Sequence, residues 1–135
     1  MYLAHASMLC STHRKLVSTK KGKHGEDTAC RYLKKHGYEV VDRNRRLARG
    51  ELDIVAVKDE VLVFVEVKSH KQRDAGLLAM HTDKCERFIS AANTWLGLHE
   101  QYANYQCRFD LILVQPHKLA YFPSDVEHMQ DMIRL

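Results

Sequence analysis

Two apolar segments near the middle of the chain constrain its fold more than any other feature of the sequence. The first runs from Gly50 to Val57 and the second from Val61 to Val67, and only three charged residues separate them. Apolar side chains fall on both faces of the second segment, which is typical of a central strand covered on both sides. Because the link is so short, the two segments are predicted to form a β-hairpin in the middle of a sheet.

A two-residue turn at positions 59–60 would fix which residues of the hairpin face each other. In that register Val55 faces Phe64, and the same register continued towards the open end sets Asp53 opposite Glu66. A three-residue turn would place these two carboxylates on opposite faces of the sheet, since successive side chains alternate. The register that pairs apolar with apolar therefore predicts that the carboxylates share one face.

This predicted pair of carboxylates needs a compensating partner. Directly opposed side chains lie about 4.5–5.5 Å apart at Cβ, where like charges repel, so either one carboxylate is protonated or a cation lies between the two. A divalent cation fits, and Lys68 is expected beside it because it lies two residues after Glu66 on the same face. Glu51, which faces Lys68 in this register, is expected to form a cross-strand ion pair with it.

The composition is that of one ordinary globular domain. The chain has 135 residues, of which 45% are hydrophobic and 28% are charged, and no apolar run approaches the roughly 20 residues that a membrane span needs. The four cysteines show no CxxC spacing, so free thiols and a cytoplasmic location are expected. Residues 1–18 are predicted to be a loose N-terminal leader, followed by a single domain over residues 19–135.

Positive charge is concentrated in the first part of the chain. Residues 1–50 contain 12 Lys and Arg against 4 Asp and Glu, whereas residues 51–135 contain 9 against 13. A basic segment next to an acidic centre suits a polyanion such as DNA held against a carboxylate-bound metal. On charge alone, a solvated basic face without a partner is an equally good explanation. The residues predicted to bind nucleic acid are Lys20, Lys21, Lys23, Arg43, Arg45, Arg46 and Lys84.

The remaining pattern predicts an α/β fold with the element order αβββαββα. The strand–helix–strand connection from Val61 to Val114 implies a right-handed crossover and therefore a mixed sheet. The predicted elements besides the hairpin are a helix over Gly22–Lys35 that ends at Gly37, a strand from Tyr38 that runs into the basic stretch, a helix from Asp83 to about Leu98, a strand over Cys107–Val114, an edge strand over Lys118–Phe122 and a short helix from Ser124 through Ile133.

The spacing Asp53…Glu66-Val67-Lys68 resembles the D-x(n)-E-x-K motif of the restriction-endonuclease-like, or PD-(D/E)xK, superfamily of nucleases. The motif alone has little specificity, but the similarity extends over roughly residues 20–114. As a whole this region resembles the YraN-like family of endonucleases, and it is also similar to archaeal Holliday-junction resolvases. The further matching segments are Gly22-Lys23-His24-Gly25-Glu26, Gly37-Tyr38, Arg43-Asn44, Gly50-Glu51-Leu52-Asp53, Ala91-Ala92 and Arg108-Phe109-Asp110.

The resemblance implies a restriction-endonuclease-like core, in which helices flank a central mixed β-sheet. It also implies a metal-dependent endonuclease that hydrolyses phosphodiester bonds of DNA, including branched or damaged DNA. Asp53, Glu66 and the carbonyl of Val67 are then expected to bind Mg²⁺ or Mn²⁺, Lys68 to orient or activate water, and Glu26 to lie near the metal. A branched substrate would favour a homodimer, because two cuts are needed.

Structural roles compete with some of these assignments. Glu26 could equally be a first-turn helix residue that the helix dipole favours, Asp110 is expected to be structural, and Trp95 is expected to lie in the core rather than to stack on bases. The alternative function is a non-catalytic nucleic-acid-binding or DNA-processing interaction module with a vestigial nuclease site. Against it, a decayed site has no reason to keep buried charges at the ends of two strands.

Overall fold

The structure is a computed structural model that describes residues 20–47, 49–74, 77, 83–115, 117–119 and 121–133. The predicted leader over residues 1–18 lies outside the described residues, as do the side chains of Lys20 and Lys21. The elements with described bounds are the helices α1 (Lys20–Lys35) and α2 (Asp83–Leu98), the strands β1 (Glu39–Leu47), β2 (Gly50–Lys58), β3 (Val61–Ser69), β4 (Gln106–Gln115) and β5 (Asp125–Met129), and single turns of 3₁₀-helix at His70–Gln72 and Glu100–Tyr102.

The five strands form one mixed sheet in the order β1-β2-β3-β4-β5. The strand β2 is antiparallel to both β1 and β3, β3 and β4 are parallel, and β5 is antiparallel to β4. The parallel pair requires a crossover, and α2 lies in that connection. The prediction of a central mixed sheet flanked by helices is therefore confirmed.

The hairpin turn contains the two residues predicted for it. Residues 59–60 have φ angles of 50° and 60°, and left-handed backbone at both central positions is what a type I′ turn requires. Lys58 therefore faces Val61, and Val55 faces Phe64. The predicted register of the hairpin is confirmed over these pairs.

Each face of the sheet buries a separate layer of side chains. Residues 62–65 of β3 are fully buried, as a strand covered on both faces must be. The layer under α2 contains Leu52, Val55, Leu62, Phe64, Leu111 and Leu113, together with Phe88, Ala91, Ala92 and Trp95 of the helix. The layer under α1 contains Ile54, Ala56, Val63, Val65, Ile112 and Val114, together with Ala29, Cys30 and Leu33 of the helix.

Both helices follow the predicted pattern closely. The helix α1 stops at Gly37, which has φ of 86°, and the amide of Tyr38 returns to the Leu33 carbonyl at 3.0 Å. On α2, Trp95 is fully buried and its indole N–H donates to Asp42 at 2.8 Å, so the expected core role is confirmed. Within the described residues, no helix is long and apolar enough to cross a membrane.

The C-terminal part of the chain differs from the prediction. The sequence predicts an edge strand over Lys118–Phe122 and a helix from Ser124 to Ile133, and both predictions are wrong. Instead Asp125–Met129 forms β5 against β4. The bare edge of β4 explains the difference, because pairing with it satisfies backbone groups that a helix would leave exposed.

Candidate active site

An open cleft of about 370 Å³ lies where the start of β2 and the end of β3 meet the N-terminal turns of α1 and α2. It brings together residues from distant parts of the chain. All of the residues predicted for catalysis or metal binding line it, namely Glu26, Asp53, Glu66, Val67 and Lys68. The residues predicted to act together therefore lie around one cleft.

Asp53 lies where the regular geometry of β2 is interrupted. Leu52 packs in the core layer under α2, whereas Ile54 packs in the layer under α1. Residues two apart in a regular strand share a face, so the alternation shifts at Asp53. The pairing of β1 with β2 skips Asn44 and Asp53, and Asn44 has a left-handed φ of 51°. Such an irregularity redirects a side chain and is common beside active sites.

At the open end of the hairpin, the carboxylate of Asp53 accepts a hydrogen bond from a backbone amide of β3. The pairing of β2 with β3 ends at Ile54 and Val65, so the predicted facing pair of Asp53 and Glu66 lies beyond it. There the amide of Val67 donates to Asp53 Oδ2 at 2.8 Å. Burial and the nearby carboxylate of Glu66 raise the pKa of Asp53 well above its usual value, against the opposing Val67 hydrogen bond. The two carboxylates therefore repel each other across the cleft.

Lys68 and Glu66 form an ion pair on β3, with Nζ and Oε1 2.9 Å apart. Burial opposes the charge on Lys68, but the attraction and hydrogen bond of Glu66 outweigh it and raise the pKa of Lys68. The predicted ion pair of Lys68 with Glu51 is wrong. Glu51 pairs with Arg46 instead, at 3.0 Å, because Arg46 faces it in the register of β1 with β2.

Glu26 reaches the cleft from α1. The helix begins at Lys20 and its first turn has no acidic residue, so the interpretation of Glu26 as a first-turn residue is wrong. Burial raises the pKa of Glu26, while a hydrogen bond from Asn44 and the charge of Arg43 oppose the shift. The charge of Glu26 also contributes to the raised pKa of Asp53. Glu26 is therefore within electrostatic reach of the hairpin carboxylates.

The donors around Asp53 fit a hard divalent cation that has few protein ligands. Asp53 Oδ1 accepts no hydrogen bond from the part of the chain that the structure describes, and Glu66 and Val67 line the same cleft. Mg²⁺ is usually bound through one or two carboxylates and keeps several waters. Among the described residues no group of three or more His, Cys, Asp or Glu is arranged to hold a metal ion.

The basic residues predicted to bind nucleic acid lie in different settings. Lys84 lines the cleft, whereas Lys23 is exposed on α1. Binding of nucleic acid by these residues stays a prediction. Three arginines of β1 are ion-paired, namely Arg43 with Asp27 at 2.6 Å, Arg45 with Asp42 at 3.2 Å and Arg46 with Glu51 at 3.0 Å.

Two arginines of the cleft were not identified from the sequence. Arg49 precedes β2 and Arg87 lies in α2, yet both line the cleft with Asp53. The contact that joins them is at Gly50, where an added Cβ would lie 2.5 Å from the backbone oxygen of Arg87. In the sequence, the one local signal of this close approach is Gly50, a glycine at the start of an apolar strand.

Asp110 belongs to a second buried polar cluster, away from the cleft. Its carboxylate accepts two hydrogen bonds from Arg108, at 2.9 and 2.8 Å, and one from the amide of Asp131 at 3.0 Å. His128 Nε2 lies 2.7 Å from Asp110, and Arg108 also donates to the Tyr38 hydroxyl at 2.8 Å. This cluster ties β5 and the segment after it to β4, so the expected structural role of Asp110 is confirmed.

The part of the chain that matches known proteins includes most of the residues that line the cleft. The chain matches the profile of the Uncharacterised protein family UPF0102 over residues 25–114. A UPF0102 protein of Clostridium perfringens is 40% identical over 98 residues, which are 71% of this chain and 80% of the relative. Another, from Rhodopseudomonas palustris strain BisB18, is 35% identical over 105 residues, 78% of each chain. A third, from Nitrobacter winogradskyi, is 37% identical over 98 residues, 73% of this chain and 83% of the relative.

Proposed function

Given that this chain belongs to the UPF0102 family, we propose that it is a metal-dependent endonuclease of the PD-(D/E)xK superfamily that hydrolyses phosphodiester bonds of DNA. The observation that carries the proposal is the meeting of Asp53, Glu66 and Lys68 in one open cleft, with Asp53 partly buried and within electrostatic reach of Glu66. Buried charge is costly unless a partner neutralises it. A metal ion and a substrate phosphate would supply that partner.

Each residue of the cleft has its own role in this proposal. Asp53, Glu66 and the Val67 carbonyl would hold Mg²⁺ or Mn²⁺. Such an ion, when bound, polarises the scissile phosphate and makes water a better nucleophile. Lys68 would stabilise the negative charge that develops on the phosphate or would orient the water. Glu26 extends the acidic wall of the cleft from the side of α1.

DNA is the proposed partner because the chain has a formal net charge of +4 and a strongly basic first third. Phosphates attract such a surface, and the resulting affinity falls steeply with salt. The similarity to archaeal Holliday-junction resolvases makes branched DNA the first substrate to test, with damaged DNA next. Activity on a branched substrate would favour a homodimer, since paired cuts need two sites.

A second candidate is a non-catalytic nucleic-acid-binding or DNA-processing module. The ion pair between Lys68 and Glu66 favours it, because a lysine that neutralises the carboxylate reduces the need for a metal. The two candidates differ in what a divalent metal does. The nuclease cleaves DNA when the metal is added, whereas the module binds DNA with or without it.

A metal titration on supercoiled, linear and four-way DNA separates the two candidates. The nuclease should nick or cut at least one of these with Mg²⁺ or Mn²⁺, and Asp53→Asn and Glu66→Gln should abolish cleavage. Glu60→Gln, an equal loss of charge in the exposed hairpin turn, is the matched control and should keep activity. DNA binding without cleavage in either metal would reject the nuclease and support the module.

A further inference from the structure

Three cationic side chains converge on the cleft from two separate elements. Arg49 lies in the turn between β1 and β2, and Lys84 and Arg87 lie in the first turns of α2. All three are exposed and line the cleft together with Asp53. Within the part of the chain that the structure describes, none of the three has a side-chain hydrogen bond or ion pair. Their charge is therefore available to a ligand.

The arginines of β1, which form the most basic stretch of the sequence, lie outside the cleft. Arg43, Arg45 and Arg46 each lie within 3.2 Å of a carboxylate oxygen, and none of them lines the cleft. A phosphate would have to displace a carboxylate to bind any of these arginines. The available positive charge therefore lies in the cleft rather than along β1.

The fold brings the cleft cations together through one backbone contact. A Cβ at Gly50 would lie 2.5 Å from the carbonyl oxygen of Arg87, so glycine lets the start of β2 touch α2. This contact places Arg49, the preceding residue, beside the helix. Lys84 and Arg87 are three residues apart and therefore share a helix face. The acidic residues of the first turn, Asp83 and Glu86, do not line the cleft.

We propose that Arg49, Lys84 and Arg87 form the phosphate-binding wall of the cleft and hold the nucleic-acid backbone on either side of the reacting phosphate. The inference rests on the proposed function for the choice of ligand, a phosphodiester polyanion. It assigns the phosphate contacts to these residues and not to the arginines of β1. Arginine is suited to this role because its planar guanidinium binds phosphate oxygens in pairs.

The test measures binding of a fluorescent DNA duplex in EDTA, so that no cleavage interferes. Three double variants each lose two positive charges, Arg49→Ala/Arg87→Ala in the cleft, Arg45→Ala/Arg46→Ala in β1, and Lys34→Ala/Lys35→Ala at the exposed end of α1. The cleft variant should reduce the slope of log K against log salt by about 1.8, since each lost phosphate contact removes about 0.9. The other two variants should keep the slope of the parent.

Lys84→Ala supplies an independent check and should reduce the slope by about 0.9. Thermal unfolding of every variant shows whether the fold is intact, and exposed positions such as Lys84 should not change it. A slope lowered by the β1 variant and unchanged by the cleft variant would overturn the inference. Equal reductions in all three double variants would also overturn it, since they would mean diffuse attraction.

The outcomes separate this inference from the proposed function. If the cleft variant loses the contacts and the parent cleaves no DNA with any metal, the phosphate-binding wall stands and the nuclease is rejected. If the parent cleaves DNA but the cleft variant binds and cleaves as the parent does, the nuclease stands and the wall is rejected. If both hold, the cleft variant should raise KM at least tenfold with kcat little changed, because it removes binding rather than chemistry.

Discussion

Burial, a second carboxylate and a single backbone hydrogen bond act together on Asp53. The first two raise its pKa, and the hydrogen bond from Val67 compensates only in part. An ionised Asp53 therefore costs stability in the folded protein, and it does so because of where the strand irregularity directs its side chain. Either a proton or a cation removes that cost. The same property that would destabilise a purely structural carboxylate is useful in a metal ligand.

Asp53→Asn should stabilise the metal-free protein at neutral pH, because the amide keeps an acceptor for the Val67 amide and removes the repulsion with Glu66. A raised folded pKa means that this cost is absent below the unfolded value near 3.8. The advantage of the variant should therefore vanish in acid. Urea unfolding in EDTA measures it, and a variant that is markedly less stable than the parent at neutral pH would make Asp53 a structural residue.

Metal binding should raise the melting temperature of the parent and leave that of Asp53→Asn unchanged. A ligand that binds only the folded state stabilises it by about 2.7 kcal/mol at a hundredfold excess over Kd.

Lys68→Ala should keep the metal-dependent shift in melting temperature and lower turnover by roughly 10²–10³, as loss of one electrostatic stabiliser does. Calorimetry with and without Mg²⁺, beside plasmid nicking, checks both. A melting temperature of the parent that does not respond to Mg²⁺ or Mn²⁺ would contradict the metal site.

The register of the hairpin could be predicted from the sequence. Apolar residues had to face apolar ones, and the two-residue turn followed from that requirement. The irregularity at Asp53 could not be predicted, because it depends on Asn44 of another strand. Likewise Arg49 and Arg87 become neighbours only when β2 packs on α2. Local patterns therefore located the acidic residues of the cleft and two of its four basic residues, and missed Arg49 and Arg87.

The second residue of the hairpin turn, Glu60, is poorly suited to it, whereas aspartate, as at Asp59, is common at the first position. Left-handed backbone costs a non-glycine residue about 1–2 kcal/mol, and both Asp59 and Glu60 adopt it. Glu60→Gly should therefore stabilise the protein by about 1 kcal/mol. Glu60→Ala removes the same charge but keeps the strain, so it should give no gain. Urea midpoints of the parent and the two variants measure this difference. An equal gain over the parent in both variants would show that the gain comes from the lost charge.

Gly50→Ala should destabilise the protein by about 1–3 kcal/mol, the usual cost of overpacking. The added Cβ would meet the backbone of Arg87, which cannot move without shifting α2. Gly97→Ala is the matched control in α2 itself, because no atom lies within 4 Å of its added Cβ. The control should stabilise the helix by about 0.5–1 kcal/mol. A tolerated alanine at position 50 would mean that β2 and α2 are further apart than described.

The C-terminal strand shows where local signals mislead. Ser124 has the properties of a helix N-cap and the residues after it favour a helix, yet Asp125–Met129 pairs with β4. Two long-range interactions outweigh the local preference, the open edge of β4 and the contact of His128 with buried Asp110. Neither can be read from the segment itself. Helix α2, by contrast, was predicted correctly because its apolar face repeats over four turns.

Two carboxylates with opposite pKa shifts, the buried Asp110 and the partly buried Asp53, should govern how the stability of the entire fold depends on pH. Burial alone would raise the pKa of Asp110, but hydrogen bonds with His128, Arg108 and the Asp131 amide outweigh it and lower that pKa. The stability that Asp110 contributes is therefore present above the unfolded value of 3.8 and is lost as pH falls through the lower folded value. Asp53 and Glu26 act in the opposite sense, because their raised pKa values cost stability as pH rises.

The metal-free protein should accordingly be most stable in weak acid, and less stable both at neutral pH and in strong acid. Asp53→Asn should flatten the decline towards neutral pH. Asp110→Asn should flatten the loss in strong acid and cost about 1.5–3 kcal/mol at neutral pH, because it removes the charged acceptor of the hydrogen bonds from the partly buried Arg108. Saturating Mg²⁺ should restore stability at neutral pH, since a cation binds the deprotonated carboxylates. Urea unfolding across this range measures all four effects. A metal-free parent whose stability rises steadily from about pH 5 to about pH 8 would show that Asp53 is not the strained carboxylate inferred from its surroundings.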